Sequence, residues 1–160
     1  MNDFDALLTE VIGQARAIQI PVSDRIEPRV AVNRRAVTRF GCCRRTEEGF
    51  RIELAEGLLR AEASACRQTL AHEVLHTCPG CRNHGTLWRA YAARMNAAWG
   101  YRIARTGNRE ELGVEAPRSA PHLVVCETCG RRFERFRASA LVRHPERYRC
   151  GCGGTLRRVS

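Results

Sequence analysis

Three histidines and one glutamate in the middle of the chain have the clearest chemical potential. His72, Glu73 and His76 form the pattern His-Glu-x-x-His, and His84 follows eight residues after His76. Two histidines four positions apart project from one face of a helix, so both imidazoles can bind one metal ion. With His84 as third ligand, one of the four coordination positions of zinc stays open, which is typical of catalytic zinc. The pattern therefore predicts a zinc hydrolase site in which Glu73 accepts a proton from the attacking water.

The ligand spacing also separates this pattern from related ones. Metzincins place their third histidine six residues after the second, where this chain has Arg82, and a glycine three residues after the second, where it has Pro79. Gluzincins use a glutamate from a later helix, for which Glu110 or Glu111 is available. His84 is the closer candidate. The simplest alternative to any metal site is a pair of histidines on a solvated helix face.

The hydrophobic pattern predicts the elements that must position these residues. Apolar residues recur at helical spacing in three segments and follow strand-like patterns in three others. The predicted elements are, in chain order, a helix over 3–20, strands over 29–33, 39–44 and 50–54, a helix over 58–77 and a helix from Gly85 to Trp99. This order predicts an α+β fold with a small antiparallel sheet and with the metal ligands split across two helices.

Length and composition limit the class of protein. The chain has 160 residues, of which 44% are hydrophobic, as is normal for a globular protein. The acidic amino terminus lacks the basic start and apolar run of a signal peptide, and no stretch of 18 apolar residues predicts a membrane span. We therefore expect a cytoplasmic protein without a membrane partner.

Four of the nine cysteines have the spacing of a structural zinc site. Cys126 and Cys129 form a Cys-x-x-Cys pair, and Cys150 and Cys152 follow as Cys-x-Cys. In a reducing compartment such pairs are more often metal ligands than disulfides. Four thiolates form a closed tetrahedral site that can fold a module too small for its own core. If a carboxy-terminal thiol does not bind, two spare ligands are His122 and His144.

Cys78 and Cys81 lie between the predicted ligands His76 and His84. They could form a reversible disulfide that fixes this loop, or bind an additional metal ion together with His84. A structural turn with unpaired thiols is the alternative. The remaining three cysteines are expected to be small core residues, namely Cys42, Cys43 and Cys66.

The net charge of +10 is concentrated towards the carboxy terminus. All 27 basic residues are arginine, and residues 118–160 hold ten arginines but three acidic residues. A basic module of this kind suggests a polyanionic partner such as DNA, whose phosphates arginines can neutralise without reading the base sequence. A solvated surface with a biased composition is the alternative. The candidate contacts are Arg131, Arg132, Arg135, Arg137 and Arg143.

The order of these motifs resembles the SprT-like metallopeptidase family, including proteins of the Spartan type. The resemblance rests on His72-Glu73-Val74-Leu75-His76 followed by His84-Gly85-Thr86-Leu87-Trp88, and on the strand region from Val32 to Leu54. It extends to the terminal segment Tyr148-Arg149-Cys150-Gly151-Cys152-Gly153-Gly154-Thr155-Leu156, where the family usually has two residues between the cysteines.

The Gly, Pro, Ser and Glu content of residues 106–121 predicts a linker. With this boundary, the resemblance implies a zincin-like peptidase core over residues 1–105 and a zinc ribbon over 122–160. It also implies that His72, His76 and His84 bind a catalytic zinc ion, that Glu73 is the general base, and that the ribbon binds a structural zinc ion. Spartan-type proteins cleave proteins crosslinked to DNA, so the implied substrates are proteins associated with DNA. The alternative hypothesis is a non-catalytic, zinc-stabilised adaptor that binds nucleic acid or regulates a partner. The sequence does not indicate the oligomeric state.

Overall fold

The structure, a computed structural model, describes residues 1–107, 112–114 and 122–160. The chain divides into two compact units, Met1–Ala116 and Pro117–Ser160. Each unit combines helical segments with a three-stranded sheet, which confirms the α+β class. Most of the predicted linker lies outside the described residues, so the predicted domain boundaries stay a prediction.

The first unit contains three α-helices and one sheet. Its elements are α1 (Phe4–Ala17), β1 (Ala31–Asn33), β2 (Gly41–Arg45), β3 (Phe50–Ala55), a 3-10 turn (Glu56–Leu59), α2 (Ala63–Leu75) and α3 (Thr86–Trp99). The strand order is β1-β3-β2, which leaves β2 at an edge. The hairpin partners β2 and β3 are antiparallel, but β1 pairs with β3 in parallel, so the prediction of a purely antiparallel sheet was wrong. The long connection from β1 through β2 permits this parallel pairing.

Two predicted helix boundaries were also wrong. Helix α1 ends at Ala17 rather than residue 20, because Gln19 adopts a left-handed conformation with φ of 59°. The predicted helix over 58–77 begins at Ala63, after the 3-10 turn. The Asn2 side-chain amide donates to the carbonyl oxygens of Leu58 at 2.9 Å and Ala61 at 2.7 Å, so these carbonyls are satisfied without a continuous helix.

Helix α2 lies in the centre of the first unit, packed against α1, α3 and the sheet. Its buried side chains include Cys66, Leu70 and Val74, none of which is exposed to solvent. The two other cysteines predicted in the core, Cys42 and Cys43, lie on β2 and are half-buried. Among the described residues, the buried polar side chains are Thr69, Glu73 and Thr77. The hydroxyl groups of Thr69, within α2, and of Thr77, just after it, donate to carbonyl oxygens of α2, whereas Glu73 faces the sheet.

The second unit is small and has a core of only a few residues. Its elements are β4 (His122–Cys126), β5 (Arg132–Arg135), the short helix α4 (Ala140–Arg143), a 3-10 turn (Pro145–Arg147) and β6 (Leu156–Arg158). The sheet is antiparallel, in the order β5-β4-β6. Its buried cluster is Val124, Cys126, Val142, Cys150 and Leu156. A core of this size needs additional cross-linking, which a metal ion can supply. Within the described parts of both units, no helix is long and apolar enough to cross a membrane.

Candidate active site

The three predicted histidine ligands converge at the end of α2. His72 lies in the last turn of the helix, His76 follows its last residue, and His84 lies two residues before α3. One ring nitrogen from each lies within 4.8 Å of the others. The Nε2 atom of His84 is 3.1 Å from that of His76 and 2.9 Å from that of His72. Tetrahedral zinc with Zn–N bonds of about 2.0–2.1 Å requires nitrogen separations of about 3.3 Å, so the cluster has nearly the right size.

Backbone carbonyls determine which nitrogens of this cluster carry lone pairs. Nδ1 of His72 lies 3.0 Å from the carbonyl oxygen of Ala104, and Nδ1 of His76 lies 2.8 Å from that of Cys81. Because a carbonyl oxygen only accepts, each Nδ1 must donate, and in neutral imidazole the Nε2 atom is then unprotonated. Burial, then the neighbouring histidines, lower the pKa of His72 to about 4, which keeps it neutral. The backbone carbonyls thus hold the imidazoles so that unprotonated Nε2 atoms face one another. Zinc prefers neutral imidazole nitrogens arranged in this way.

The Trp88 ring supports all three histidines from one side. Its centroid lies 4.8 Å from that of His72, 5.5 Å from His76 and 4.6 Å from His84. The ring stacks on His76, with an interplanar angle of 23°, and meets the other two edge to face. Trp88 is 1% exposed, so it fixes the imidazole orientations by packing. In the sequence, Trp88 was noted only as the last residue of the segment His84-Gly85-Thr86-Leu87-Trp88, on which the family resemblance rests.

Glu73 is buried beside the histidine cluster, with 7% of its surface exposed. Its carboxylate accepts a hydrogen bond from the backbone N–H of Cys43 and lies in the field of Arg39. Burial outweighs both and raises the pKa of Glu73 to about 7. A carboxyl group with a pKa near neutrality is suited to exchange protons with a substrate, and a nearby dication would favour its charged form.

Gly41 makes the close approach between Glu73 and β2 possible. A Cβ atom at this position would lie 2.7 Å from Oε1 of Glu73 and 2.9 Å from Cγ2 of Thr69. Any larger residue would therefore displace the carboxylate. An isolated glycine in a strand pattern is a known signal of close approach, and it is the one feature of the sequence that could have indicated this role of Gly41.

The outer edge of β2 presents backbone groups to the same space. The residues that flank β2 are hydrogen-bonded to the residues opposite them. The Ala55 N–H donates to the Phe40 carbonyl oxygen and the Thr46 N–H donates to the Gly49 carbonyl oxygen, both at 2.8 Å. Because hydrogen-bonded pairs alternate along an antiparallel ladder, Gly41, Cys43 and Arg45 direct their N–H and C=O groups away from β3. Cys43 N–H binds Glu73, as described above. The remaining groups form an edge that an extended peptide could pair with.

The histidines, Glu73 and β2 line one open cleft of ≈ 1480 Å³. This volume exceeds the range of about 300–1,000 Å³ for small-molecule pockets. The cleft therefore has room for a polypeptide segment. The gluzincin-type alternatives Glu110 and Glu111 lie outside the described residues.

The second unit brings together the four cysteines predicted as ligands. The Sγ atoms of Cys126 and Cys152 are 3.6 Å apart, as are those of Cys129 and Cys150. Zn–S bonds of about 2.3 Å in a tetrahedron require sulfur separations of about 3.8 Å. The backbone N–H of Cys129 donates to Sγ of Cys126 at 3.5 Å and, as the largest influence, lowers the pKa of that thiol to about 6. This favours the thiolate, the form that binds zinc, at Cys126. At Cys129 the backbone N–H of Arg131 also lowers the pKa, but hydrogen bonds with the other three thiols outweigh it and raise the pKa to about 11.

The single residue between Cys150 and Cys152 does not prevent this cluster from forming. Gly153 has φ of 85° and turns the chain, and a Cβ at Gly154 would lie 2.6 Å from Sγ of Cys126. The cluster contains neither His122 nor His144.

Cys78 and Cys81 lie in the turn that follows α2, and both are buried. Burial raises the pKa of Cys78 to about 12 and also raises that of Cys81. A buried thiol with a raised pKa is a poor nucleophile and a poor metal ligand. Among the described residues, the two metal-type clusters are the three histidines and the four ribbon cysteines. The two thiols are hydrogen-bonded to each other, and the Cys81 carbonyl orients His76. The reversible disulfide, the additional metal site and the structural turn all stay predictions.

The candidate DNA-binding arginines are exposed in the second unit. Arg132 and Arg135 lie on β5, Arg143 ends α4, and Arg131 and Arg137 lie in adjoining loops. None of the five forms an ion pair with an acidic group among the described residues. Their charges are thus available to a polyanion.

Fold and site together define an α+β protein with a candidate three-histidine metal centre beside a buried glutamate, followed by a four-cysteine module. Comparison with protein families matches residues 12–108 to the SprT-like family. The chain therefore belongs to the SprT-like family, which is generally of the zinc-dependent metallopeptidase type. Comparison with curated proteins finds no match.

Proposed function

We propose that the protein is a zinc-dependent metalloendopeptidase with a minimal zincin-like core over residues 1–105 and a zinc ribbon over residues 122–160. The observation that carries this proposal is the convergence of three Nε2 atoms beside the buried Glu73 carboxylate at a strand edge. In this proposal His72, His76 and His84 bind a catalytic zinc ion, and Cys126, Cys129, Cys150 and Cys152 bind a structural one.

The residues of the cleft would divide the reaction between them. The three histidines would hold a zinc ion, which would supply a Lewis acid for the scissile carbonyl and for water. Glu73 accepts the proton of the attacking water at its carboxylate and donates it to the nitrogen of the leaving amine. The backbone N–H of Cys43 holds this carboxylate in place. The backbone groups of Gly41 and Arg45, which point away from β3, would hold the substrate extended along β2.

We further propose that the substrates are proteins bound or crosslinked to DNA. The support is the exposed, unpaired arginine set of the second unit and the excess of basic residues in 118–160. Arginine contacts to phosphates hold a protein on DNA without sequence preference, so any DNA-bound protein would come within reach.

The decisive experiment compares the wild type with Glu73→Gln on a DNA-bound protein in the presence of zinc. The amide keeps the shape of the side chain but cannot accept the proton, so we expect a loss of at least about 10²-fold in cleavage rate. Equal cleavage by both proteins would refute the proposed peptidase. Zinc and DNA binding without cleavage by either protein would support the alternative of a non-catalytic adaptor.

The role of DNA is tested separately by omitting it and by varying the salt concentration. We expect DNA affinity to fall steeply as salt rises, because each neutralised phosphate releases a counterion. DNA binding that is insensitive to salt would contradict the arginine set as the anchor.

A further inference from the structure

The candidate active-site cleft is bordered by arginines that the proposed reaction does not use. Five exposed arginines line it: Arg39, Arg45, Arg82, Arg102 and Arg105. None of these five forms an ion pair with any acidic residue that the structure describes. Asp24 and Glu73 are the acidic residues among the cleft's described lining. Asp24 is paired with Arg16 at 3.0 Å, and Glu73 is buried.

This charge is not a simple consequence of the chain's bias towards arginine. Residues 1–117 hold seventeen arginines and fourteen acidic residues, so the first part of the chain is nearly balanced. Elsewhere on the first unit, arginines pair with glutamates, as in Arg44–Glu53, Arg51–Glu27 and Arg67–Glu10. The cleft therefore concentrates unpaired positive charge on a unit whose other arginines are partly neutralised.

Two of the arginines lie close to residues of the candidate metal site. The charge of Arg39 acts on Glu73, and that of Arg105 acts on His84. Arg45 ends β2, the edge along which an extended segment would run. A segment lying in the cleft would thus meet guanidinium groups near Glu73, near His84 and at the end of β2.

We propose that the cleft selects acidic polypeptide segments, whose carboxylates pair with Arg39, Arg45 and Arg105. This inference rests on the proposed function, because it names the substrate class of the same site. Arginine binds carboxylates through paired N–H donors, and a cleft of one charge sign raises the local concentration of an oppositely charged ligand. The edge of β2 would form hydrogen bonds with the peptide backbone, and the arginines would bind its acidic side chains.

Binding to the Glu73→Gln protein loaded with zinc tests the inference without cleavage. Three fluorescent peptides of equal length share a neutral centre and carry flanks of glutamate, glutamine or lysine. We expect the acidic peptide to bind about tenfold more tightly than the neutral one in low salt, since each exposed pair contributes about 1.5- to 5-fold in affinity. The difference should shrink in high salt.

Matched triple variants locate the effect in the cleft. Arg39→Gln, Arg45→Gln and Arg105→Gln together should abolish the preference for the acidic peptide. The control replaces the exposed Arg29, Arg35 and Arg60, which lie outside the cleft lining, and should keep the preference at the same net charge. An equal effect of both triple variants would overturn the inference.

Two further outcomes separate this inference from the proposed peptidase. Wild-type cleavage of all three peptides at equal kcat/KM would overturn acidic selection and leave the peptidase standing. Acidic selection by Glu73→Gln without cleavage by the wild type would refute the peptidase and keep the cleft as a binding site. If the cleft variant instead loses affinity for single-stranded DNA and not for the acidic peptide, the cleft binds nucleic acid and the inference is wrong.

Discussion

Replacing Gly41 by alanine tests the packing between β2 and α2 on which the candidate site depends. The added Cβ would lie 2.7 Å from Oε1 and 2.8 Å from Cγ of Glu73, and 2.9 Å from Cγ2 of Thr69. All three contacts are well inside normal van der Waals separations, so the strand, the helix or the glutamate must move. Overpacking of this kind costs about 1–3 kcal/mol.

This cost can be measured as a change in melting temperature. For a unit of this size, about 1 kcal/mol corresponds to about 5 °C, so Gly41→Ala should melt about 5–15 °C below the wild type. Both tryptophans, Trp88 and Trp99, lie in α3, so their fluorescence reports on the first unit. Displacing a catalytic group by about 1 Å can cost about 10²-fold in rate. We therefore expect a comparable loss of kcat/KM in a peptide cleavage assay.

Two controls make the result specific to the contact with Glu73. Gly13 lies exposed within α1, and a Cβ there meets nothing within 4 Å, so Gly13→Ala should be neutral or stabilise by up to about 1 kcal/mol. In a Glu73→Ala background, Gly41→Ala should lose most of its effect on melting, because two of the three close contacts are gone. Wild-type melting and activity in Gly41→Ala, or additive losses in the double variant, would refute the reasoning.

Three further predictions address the metal centres. Elemental analysis should find two zinc ions per chain, one for each cluster, and His76→Ala should lower the content to one; an unchanged content would contradict the histidine site. Gly154→Ala should make the ribbon lose zinc faster to a chelator, because its Cβ would lie 2.6 Å from Sγ of Cys126. Gly151→Ala is the control, since its Cβ meets no atom closer than 3.9 Å, and equal zinc loss from both would count against the contact. Cobalt added to the metal-free protein should quench tryptophan fluorescence through Trp88, which lies against all three imidazoles, and Trp88→Phe should abolish this quenching. Persistent quenching in Trp88→Phe would show that the metal binds elsewhere.

The sequence predicted the parts of the site that depend on local spacing. Histidines at i and i+4 share a helix face whatever the rest of the chain does, and His84 follows after a short turn. The same holds for the paired cysteines, which a tight turn brings together. What the sequence could not predict depends on contacts between distant segments. The bond from His72 to the Ala104 carbonyl and the bond from Cys43 to Glu73 both require the folded chain.

The errors in the predicted elements have the same origin. The helical pattern of the sequence includes residues 58–62. In the structure, however, the side chain of Asn2, at the amino terminus of the unit, donates hydrogen bonds to the carbonyl oxygens of Leu58 and Ala61. No local pattern contains that information. Similarly, the alternation of apolar residues in β1 indicated a strand but not its direction, since pairing with β3 is a tertiary choice.

The arrangement around Glu73 links metal binding to the stability of the first unit. A buried carboxyl group opposes folding unless its charge is compensated, and here Cys43 N–H and Arg39 compensate it only in part, because the pKa remains raised. The Nε2 lone pairs of His72 and His76 both face Nε2 of His84, which can donate to only one of them at a time. One dication between the three imidazoles would satisfy these lone pairs and stabilise the carboxylate at once. We therefore expect a metal ion bound by these histidines to stabilise the fold of the first unit as well as to assist the proposed proton transfer.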